Sequence, residues 1–416
     1  MSPISSFCLL PFVFCLSSFA SAACCLPRAG NGSVARSPMR PPHPAAGSWL
    51  TWGLATLLML IVDAVVAHTP LIWGKTTIWV HDPKERLERL AFWQTYDVAR
   101  TLYRPQPPAA LRVAILGNSL VWFPAQPAVV ARELRRAEPG LDVRVDNLSF
   151  FGAKIGDLEI VSRQLSRLDP SVVVLALGGS ELVPTTLPLV NPTGRRFDVG
   201  WADGPLPPAS QSERLERWLR TAWPLYRLRA FARDGLADRL RPATADQPVP
   251  ERFASTADVL AFLDPNTAAA SEAALERFRR ERTLEAYVAF LRARWLPPEP
   301  FDPLPAPETL TLDSPGAVAL DRLLARLAAG PWTPIVLLTP ENPLLDLDTA
   351  GRYHRLGFSD RAAGIIETVA ARHGVRVVDG RRWMPADAFM DFLHLFPDVS
   401  GFQVPLAEEI RRAAHS

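Results

Sequence analysis

Five short runs dominated by Val, Ile and Leu, each followed by a longer segment of helical periodicity, constrain this chain more than any other feature. The runs are Arg112–Leu116, Val143–Asn147, Val172–Leu177, Ile335–Leu338 and Val375–Asp379. Apart from Val143-Arg-Val-Asp146, they lack the strict polar/apolar alternation of a half-exposed strand. Strands without that alternation belong in a parallel sheet covered on both faces. The segments Ala128–Ala137, Ile155–Leu168, Ala317–Ala329, Ser359–Arg372 and Val404–Ala413 supply the helices. Five β–α units in a row predict an α/β domain with a doubly wound five-stranded parallel sheet and right-handed crossovers. Ligands in such sheets bind beyond the carboxyl ends of the strands, so the chemistry is expected there.

The third and fourth units are separated by an insertion, residues 182–312. It begins with a Pro-rich loop from Pro184 to Pro208 and continues as Arg-rich helices over Ser212–Leu240 and Ser271–Trp295, with Pro-rich hinges at Pro242–Pro250 and Pro297–Pro307. Its Arg and Trp content suits either a face for lipid headgroups or an anionic polymer, or a helical cap with solvated Arg stripes. The expected organisation is therefore a domain formed by 110–181 and 313–416, split by this insertion. Residues 82–104 precede the domain as an amphipathic linker helix, ended by Pro105, Pro107 and Pro108.

Two apolar stretches open the chain. The stretch Trp49–Ala67 is long enough to cross a bilayer, with Trp49, Trp52 and Trp73 as interfacial anchors and Asp63 near one end. Residues 47–68 are thus expected to be a transmembrane anchor, the alternative being a buried core helix. The earlier stretch, Phe7–Leu26, resembles a signal h-region, but residues 1–27 carry no Lys or Arg. The segment before Cys24 also lacks the Leu of a lipoprotein signal. A start at Met39 would leave an uncleaved signal anchor, and residues 1–38 are then an extension absent from the native protein. N-terminal sequencing checks this: a peptide from Ser2 to Arg36 would exclude it. All four Cys lie in the first 25 residues, so no disulfide or thiolate metal site is expected after Cys25. A net charge of +2 from 45 basic and 43 acidic residues gives no reason to expect nucleic acid as a partner.

The chemistry-bearing residues stand where the sheet predicts. The first strand runs into Gly117-Asn118-Ser119, which sets a hydroxyl just past a strand end, before a helix. A serine hydroxyl is weakly nucleophilic unless a base takes its proton. After the fifth strand comes Asp391-Phe392-Leu393-His394. An Asp three residues before a His can fold back and hold the imidazole in one tautomer, leaving the other nitrogen to accept the serine proton. After the second strand, Gly152 can present its N–H to an oxyanion. After the third, Gly179 allows close backbone approach, and Ser180 is either an oxyanion donor or a helix N-cap. The loop Pro340-Glu341-Asn342-Pro343 either lines the substrate cleft or is a plain turn.

Taken in order, these blocks resemble the SGNH hydrolases, the serine hydrolase superfamily also called GDSL. Gly117-Asn118-Ser119 is similar to the nucleophile block, with Asn in place of the usual Asp. Asn147-Leu-Ser-Phe-Phe-Gly152 is similar to the second block, and Asp391-Phe-Leu-His394 to the last. Gly178-Gly179-Ser180-Glu181 stands where the family has Gly-x-Asn-Asp, so the oxyanion Asn is replaced by Ser. The likeness covers about residues 110–181 and 333–413.

It implies a flavodoxin-like three-layer α/β/α fold and no cofactor or metal. Ser119, His394 and Asp391 would be catalytic, with Gly152, Gly179 and Ser180 in the oxyanion hole and Asn118 and Asn342 near the substrate. The anchor and the long insertion make the chain similar to the branch that serves surface-polymer acylation, including alginate O-acetylation and teichoic-acid D-alanylation proteins. That branch implies a periplasmic or extracellular catalytic domain, an acyl ester or polysaccharide substrate, and a multi-span membrane acyltransferase as partner. Two rival readings remain. One is a catalytically weakened scaffolding subunit on the same fold. The other is a flavodoxin-like binding domain, which the sparse glycines of the Gly-Asn-Ser turn disfavour.

Overall fold

The computed structural model describes residues 51, 53–62, 79–80, 90, 94, 97–98, 100–102, 107–183, 210–223, 226, 247–248, 253–263, 268–293, 306–344 and 357–416. The expectations for residues 1–38, for most of 47–68, for the loop 184–208 and for the helix beyond 226 lie outside these residues. Two compact units divide the chain, 1–57 and 58–416. Of the first, only 51 and 53–57 are described, and they are helical. The helix continues to 62 with Leu54, Leu58, Leu60 and Ile61 exposed. Among the described residues no helix is long and apolar enough to cross a membrane.

The second unit is built on a five-stranded, all-parallel sheet. Its strands are β1 (Leu111–Leu116), β2 (Val143–Asn147), β3 (Val172–Leu177), β4 (Thr333–Leu338) and β5 (Arg376–Asp379). Their order across the sheet is β2-β1-β3-β4-β5. Every residue of β1 and β3 is buried, as expected in the middle of a covered parallel sheet; Arg112, the one charged residue among them, donates to the carbonyls of Leu168 and Pro107. The expected strands are all present, with ends shifted by at most two residues.

The helices are α1 (Pro127–Ala137), α2 (Ile155–Ser162), α3 (Gln211–Ala222), α4 (Thr256–Leu263), α5 (Ala268–Glu281), α6 (Leu284–Ala293), α7 (Pro315–Ala328), α8 (Phe358–Arg372) and α9 (Ser400–Ala414). α1 packs with α9, while α7 packs with both α2 and α8. The helix expected over 155–168 stops at Ser162, and a 3-10 turn at Leu165–Arg167 completes the segment. The single helix expected over 271–295 is two. The chain breaks at Arg282, whose φ of +51° cannot continue a right-handed helix, and the Thr283 hydroxyl then caps α6 by accepting from Ala286 N. α5 and α6 form an antiparallel pair inside the insertion. Helix α4 was not expected.

The segment ahead of the domain is packed rather than free. Leu90, Gln94, Val98 and Leu102, spaced by four, are all buried, and the three apolar ones belong to the main core. A two-residue antiparallel ladder also ties Trp79–Val80 to Gln247–Pro248 of the insertion.

Candidate active site

Ser119 opens a single helical turn, Ser119–Trp122, directly past the end of β1. Asn118 caps that turn: its Oδ1 accepts from Leu120 N at 2.8 Å. This fixes which end of the carboxamide is oxygen, so Nδ2 must be the donor to the Glu181 carboxylate. Asn118, expected near the substrate, thus spends its side chain inside the Ser119 turn and on the third loop. Asn118 thereby sets a donor, rather than a second carboxyl group, against Glu181.

Asp391 and His394 are brought together by a tight local structure. A bridge between Phe389 and Leu395, with Met390 N donating to His394 O, closes residues 389–395 into a small hairpin. At its turn, Asp391 Oδ1 accepts from Leu393 N (2.8 Å) and His394 N (2.7 Å). That arrangement is an Asx turn, and it leaves Oδ2 free to take the ring of the same His394. His394 Nδ1 donates to Oδ2 at 2.7 Å. Burial would push the Asp391 carboxyl up, but the charge of His394 and the hydrogen bonds from the His394 ring, His394 N and Leu393 N outweigh it and hold the pKa below the usual range. An ionised Asp391 is an acceptor only, so the imidazole proton sits on Nδ1. Nε2 is then the acceptor for the Ser119 hydroxyl, 2.8 Å away. Ser119 and His394 are 275 positions apart in sequence.

Aromatic rings hold the imidazole plane. Phe151 lies parallel to His394 with centroids 6.1 Å apart, and Phe123 meets it edge-on at 6.3 Å. Phe123 stacks in turn on Phe253 of the insertion. A second insertion residue, the buried Tyr287, donates its hydroxyl to the backbone carbonyl of Asp391.

The other expected residues surround this relay to different degrees. Gly152 is exposed next to Phe151 and has φ +65°, a left-handed conformation that a Cβ would strain. The second loop is stitched to the segment after Ser119 by buried Asn147, whose Nδ2 donates to Ala125 O at 2.9 Å and Val121 O at 3.3 Å. Gly179 and Ser180 lie in a 3-10 turn, Gly179–Leu182, after β3. Ser180 is exposed, and its hydroxyl reaches Glu181 Oε2 at a long 3.4 Å. Ser180 makes no side-chain cap; Gly178 occupies the N-cap position, so the N-cap alternative is not what is found. Asn342 is 1% exposed, and its Oδ1 accepts from Leu344 N at 3.0 Å. Its loop after β4 therefore follows the plain-turn alternative, with the side chain turned in.

Sequence reasoning missed Glu181, Asn147, Phe151 and Tyr287 as supports of the site. The first three sit in blocks already singled out, so their neighbourhood was a signal. Nothing in the sequence points from Tyr287 to residue 391. Burial pushes the Glu181 carboxyl up to about 7, against the opposing hydrogen bonds from the Glu181 and Gly178 N–H groups and the Ser180 hydroxyl. Among the described residues no group of His, Cys, Asp and Glu could hold a metal ion. No protein-family model matches the chain, and neither does any curated protein.

Proposed function

We propose that this chain is a membrane-anchored, extracytoplasmic serine hydrolase of the SGNH type, an esterase or O-acyltransferase acting on acyl esters of a surface polysaccharide or related polymer. The observation that carries the reading is the unbroken relay from the Ser119 hydroxyl through His394 to the buried Asp391 carboxylate. The strand order, 2-1-3-4-5 in sequence terms, supports a flavodoxin-like three-layer arrangement with the reacting residues at the carboxyl edge of the sheet. The exposed apolar side chains of the helix at 53–62, and the apolar run from Trp49 to Ala67, support the anchor.

In this reading the Ser119 Oγ attacks an acyl carbonyl while His394 Nε2 takes its proton. The N–H groups of Ser119 and Gly152, with Gly179 or the Ser180 hydroxyl, stabilise the oxyanion. His394 returns the proton to the departing alkoxide, leaving an acyl group on Ser119. Water or a sugar hydroxyl then gives its proton to His394 and attacks the acyl-enzyme, and His394 passes that proton to the departing Ser119 Oγ. Asp391 holds the Nδ1–H tautomer throughout and stabilises the imidazolium.

The test is covalent labelling of the full chain with a fluorophosphonate probe, alongside hydrolysis of p-nitrophenyl acetate. Labelling that Ser119→Ala abolishes supports the proposal; labelling that survives the change removes Ser119 as nucleophile. A second reading, a weakened scaffolding subunit of a membrane acyltransferase, draws on Ser180, whose hydroxyl is engaged with Glu181 rather than free for an oxyanion. It predicts no labelling of the native chain and co-purification with a multi-span partner.

A further inference from the structure

A second concavity lies away from the catalytic edge, toward the amino ends of β3 and β4. It is a groove of about 640 Å³ between the end of α2 and α7. Arg163, Arg322, Arg326, Glu159 and Trp332 line it. Arg322 and Arg326 stand one turn apart on α7, on one face, a like-charge spacing that weakens a helix unless something negative meets it. Glu159 is the only acid in the lining, and it is buried. Its Oε1 accepts from Arg163 Nη2 at 3.0 Å, and its Oε2 faces Arg322 Nη2 at 3.5 Å, an ion pair without a hydrogen bond. One carboxylate thus sits among three guanidiniums, and the groove carries a net charge of about +2 by residue count.

The donors are also in excess. Arg163 Nε and Trp332 Nε1 are buried without an acceptor. Natural folds seldom leave such donors unmet, and a bound group is one of the standard explanations. The Trp332 ring reaches this position because residue 330 is glycine: a Cβ there would fall 2.2 Å from the indole Cε2. Planar guanidinium forks suit the oxygens of a phosphate, and a dianion balances the surplus charge. The volume falls in the range of small-molecule sites and exceeds what a bare phosphate fills.

We propose that this groove is a second ligand site, which holds the phosphate of a small phosphomonoester between Arg322 and Arg326 on a base set by Arg163 and Glu159. The site does not depend on the hydrolase reading, because none of its residues belongs to the Ser119 relay.

Calorimetric titration of the full chain tests it, with glucose 1-phosphate, inorganic phosphate and unphosphorylated glucose as probes. Arg322 and Arg326 are exposed, so the double variant R322Q/R326Q is expected to keep the native circular dichroism spectrum. The proposal expects saturable binding of glucose 1-phosphate, weakened about tenfold or more in the double variant and by added salt, with no binding of glucose. Inorganic phosphate is expected to bind the same site more weakly. No saturable binding of glucose 1-phosphate, or equal binding by R322Q/R326Q, overturns the proposal. Vesicles of phosphatidylcholine with phosphatidic acid form the other arm. Sedimentation with them that the double variant loses, without any binding of glucose 1-phosphate, overturns the soluble ligand and assigns the groove to a lipid headgroup.

Discussion

The hydroxyl of Tyr287, a residue of the insertion, donates to the backbone carbonyl of Asp391, the residue that orients His394. Tyr287 is fully buried, with Phe278, Phe290 and Phe392 around its ring at centroid distances of 4.8, 5.9 and 5.5 Å. The insertion is therefore built into the floor of the Asp391–His394 hairpin. It also reaches that end of the sheet through Thr256, whose hydroxyl donates to Asp398 at 2.7 Å, and through Phe253, whose carbonyl accepts from Gln126 at 2.8 Å.

Tyr287→Phe keeps the packing and deletes the bond. Losing one buried hydrogen bond is expected to lower stability by about 1–2 kcal/mol. If the bond positions the hairpin, kcat falls by about tenfold at nearly unchanged KM, because a small displacement of His394 acts on the reacting geometry. Steady-state kinetics with p-nitrophenyl acetate reads the split. Unchanged kcat in the folded variant would reduce Tyr287 to a packing residue.

Asp391→Asn is expected to be more damaging than its size suggests. Oδ1 already accepts two backbone N–H groups, so the new amide oxygen stays there and the NH₂ replaces Oδ2. A donor then faces Nδ1, the ring proton moves to Nε2, and Ser119 loses its acceptor. A drop in kcat of about 10⁴-fold follows from the wrong tautomer. Fluorophosphonate labelling rates measure it; labelling within a few-fold of the native rate would contradict the assigned roles.

Glu181 is expected to make stability depend on pH. Its pKa is raised by burial from 4.5 to about 7 in the folded chain. A group whose folded value exceeds its unfolded value stabilises the fold fully below the unfolded value. That contribution is lost as pH rises toward the folded one. The shift corresponds to about 3 kcal/mol. Glu181→Gln cannot ionise yet keeps an acceptor for Asn118. Urea unfolding at about pH 4 and about pH 8 should show the variant gaining about 3 kcal/mol on the native chain at the higher pH. Comparison with the variant cancels the slopes of other carboxylates. A difference that does not change with pH would remove Glu181 as their source.

Gly316→Ala is expected to destabilise the fold through a backbone clash. A Cβ at this first-turn position of α7 would lie 2.4 Å from the Leu182 carbonyl oxygen. Leu182 ends the 3-10 turn that carries Gly179 and Ser180, so neither side can yield without moving the third loop. Overpacking of this kind costs about 1–3 kcal/mol. Thermal melting measures it, and a melting temperature equal to that of the native chain would disprove the contact.

Much of the scaffold was legible in the residues. β3 can be read from its unbroken apolar run and β1 from Val113–Leu116, because a strand covered on both faces needs no alternation. The pairing of Asp391 with His394 was legible for a related reason: it is a local turn, closed by hydrogen bonds within four residues. The helix over 271–295 was misread because the periodicity runs on through Arg282, and only its positive φ shows where the chain reverses. The loop sequence leaves Asn342 open between cleft and plain turn, and only the fold shows its side chain buried.

The sequence by itself determined the five strands, the helices that follow them, a serine just past the first strand and an Asp–His pair beyond the last. These are short-range matters, decided by apolar periodicity and by hydrogen bonds a few residues long. Only the tertiary structure decided that β1 lies between β2 and β3, that the Ser119 hydroxyl meets His394 Nε2 from 275 residues away, that Asn118 faces Glu181, and that Tyr287 supports Asp391. The physical reason is that these contacts arise from how the sheet orders its strands and how the insertion packs. That depends on the whole core at once and is written in no single window of the chain.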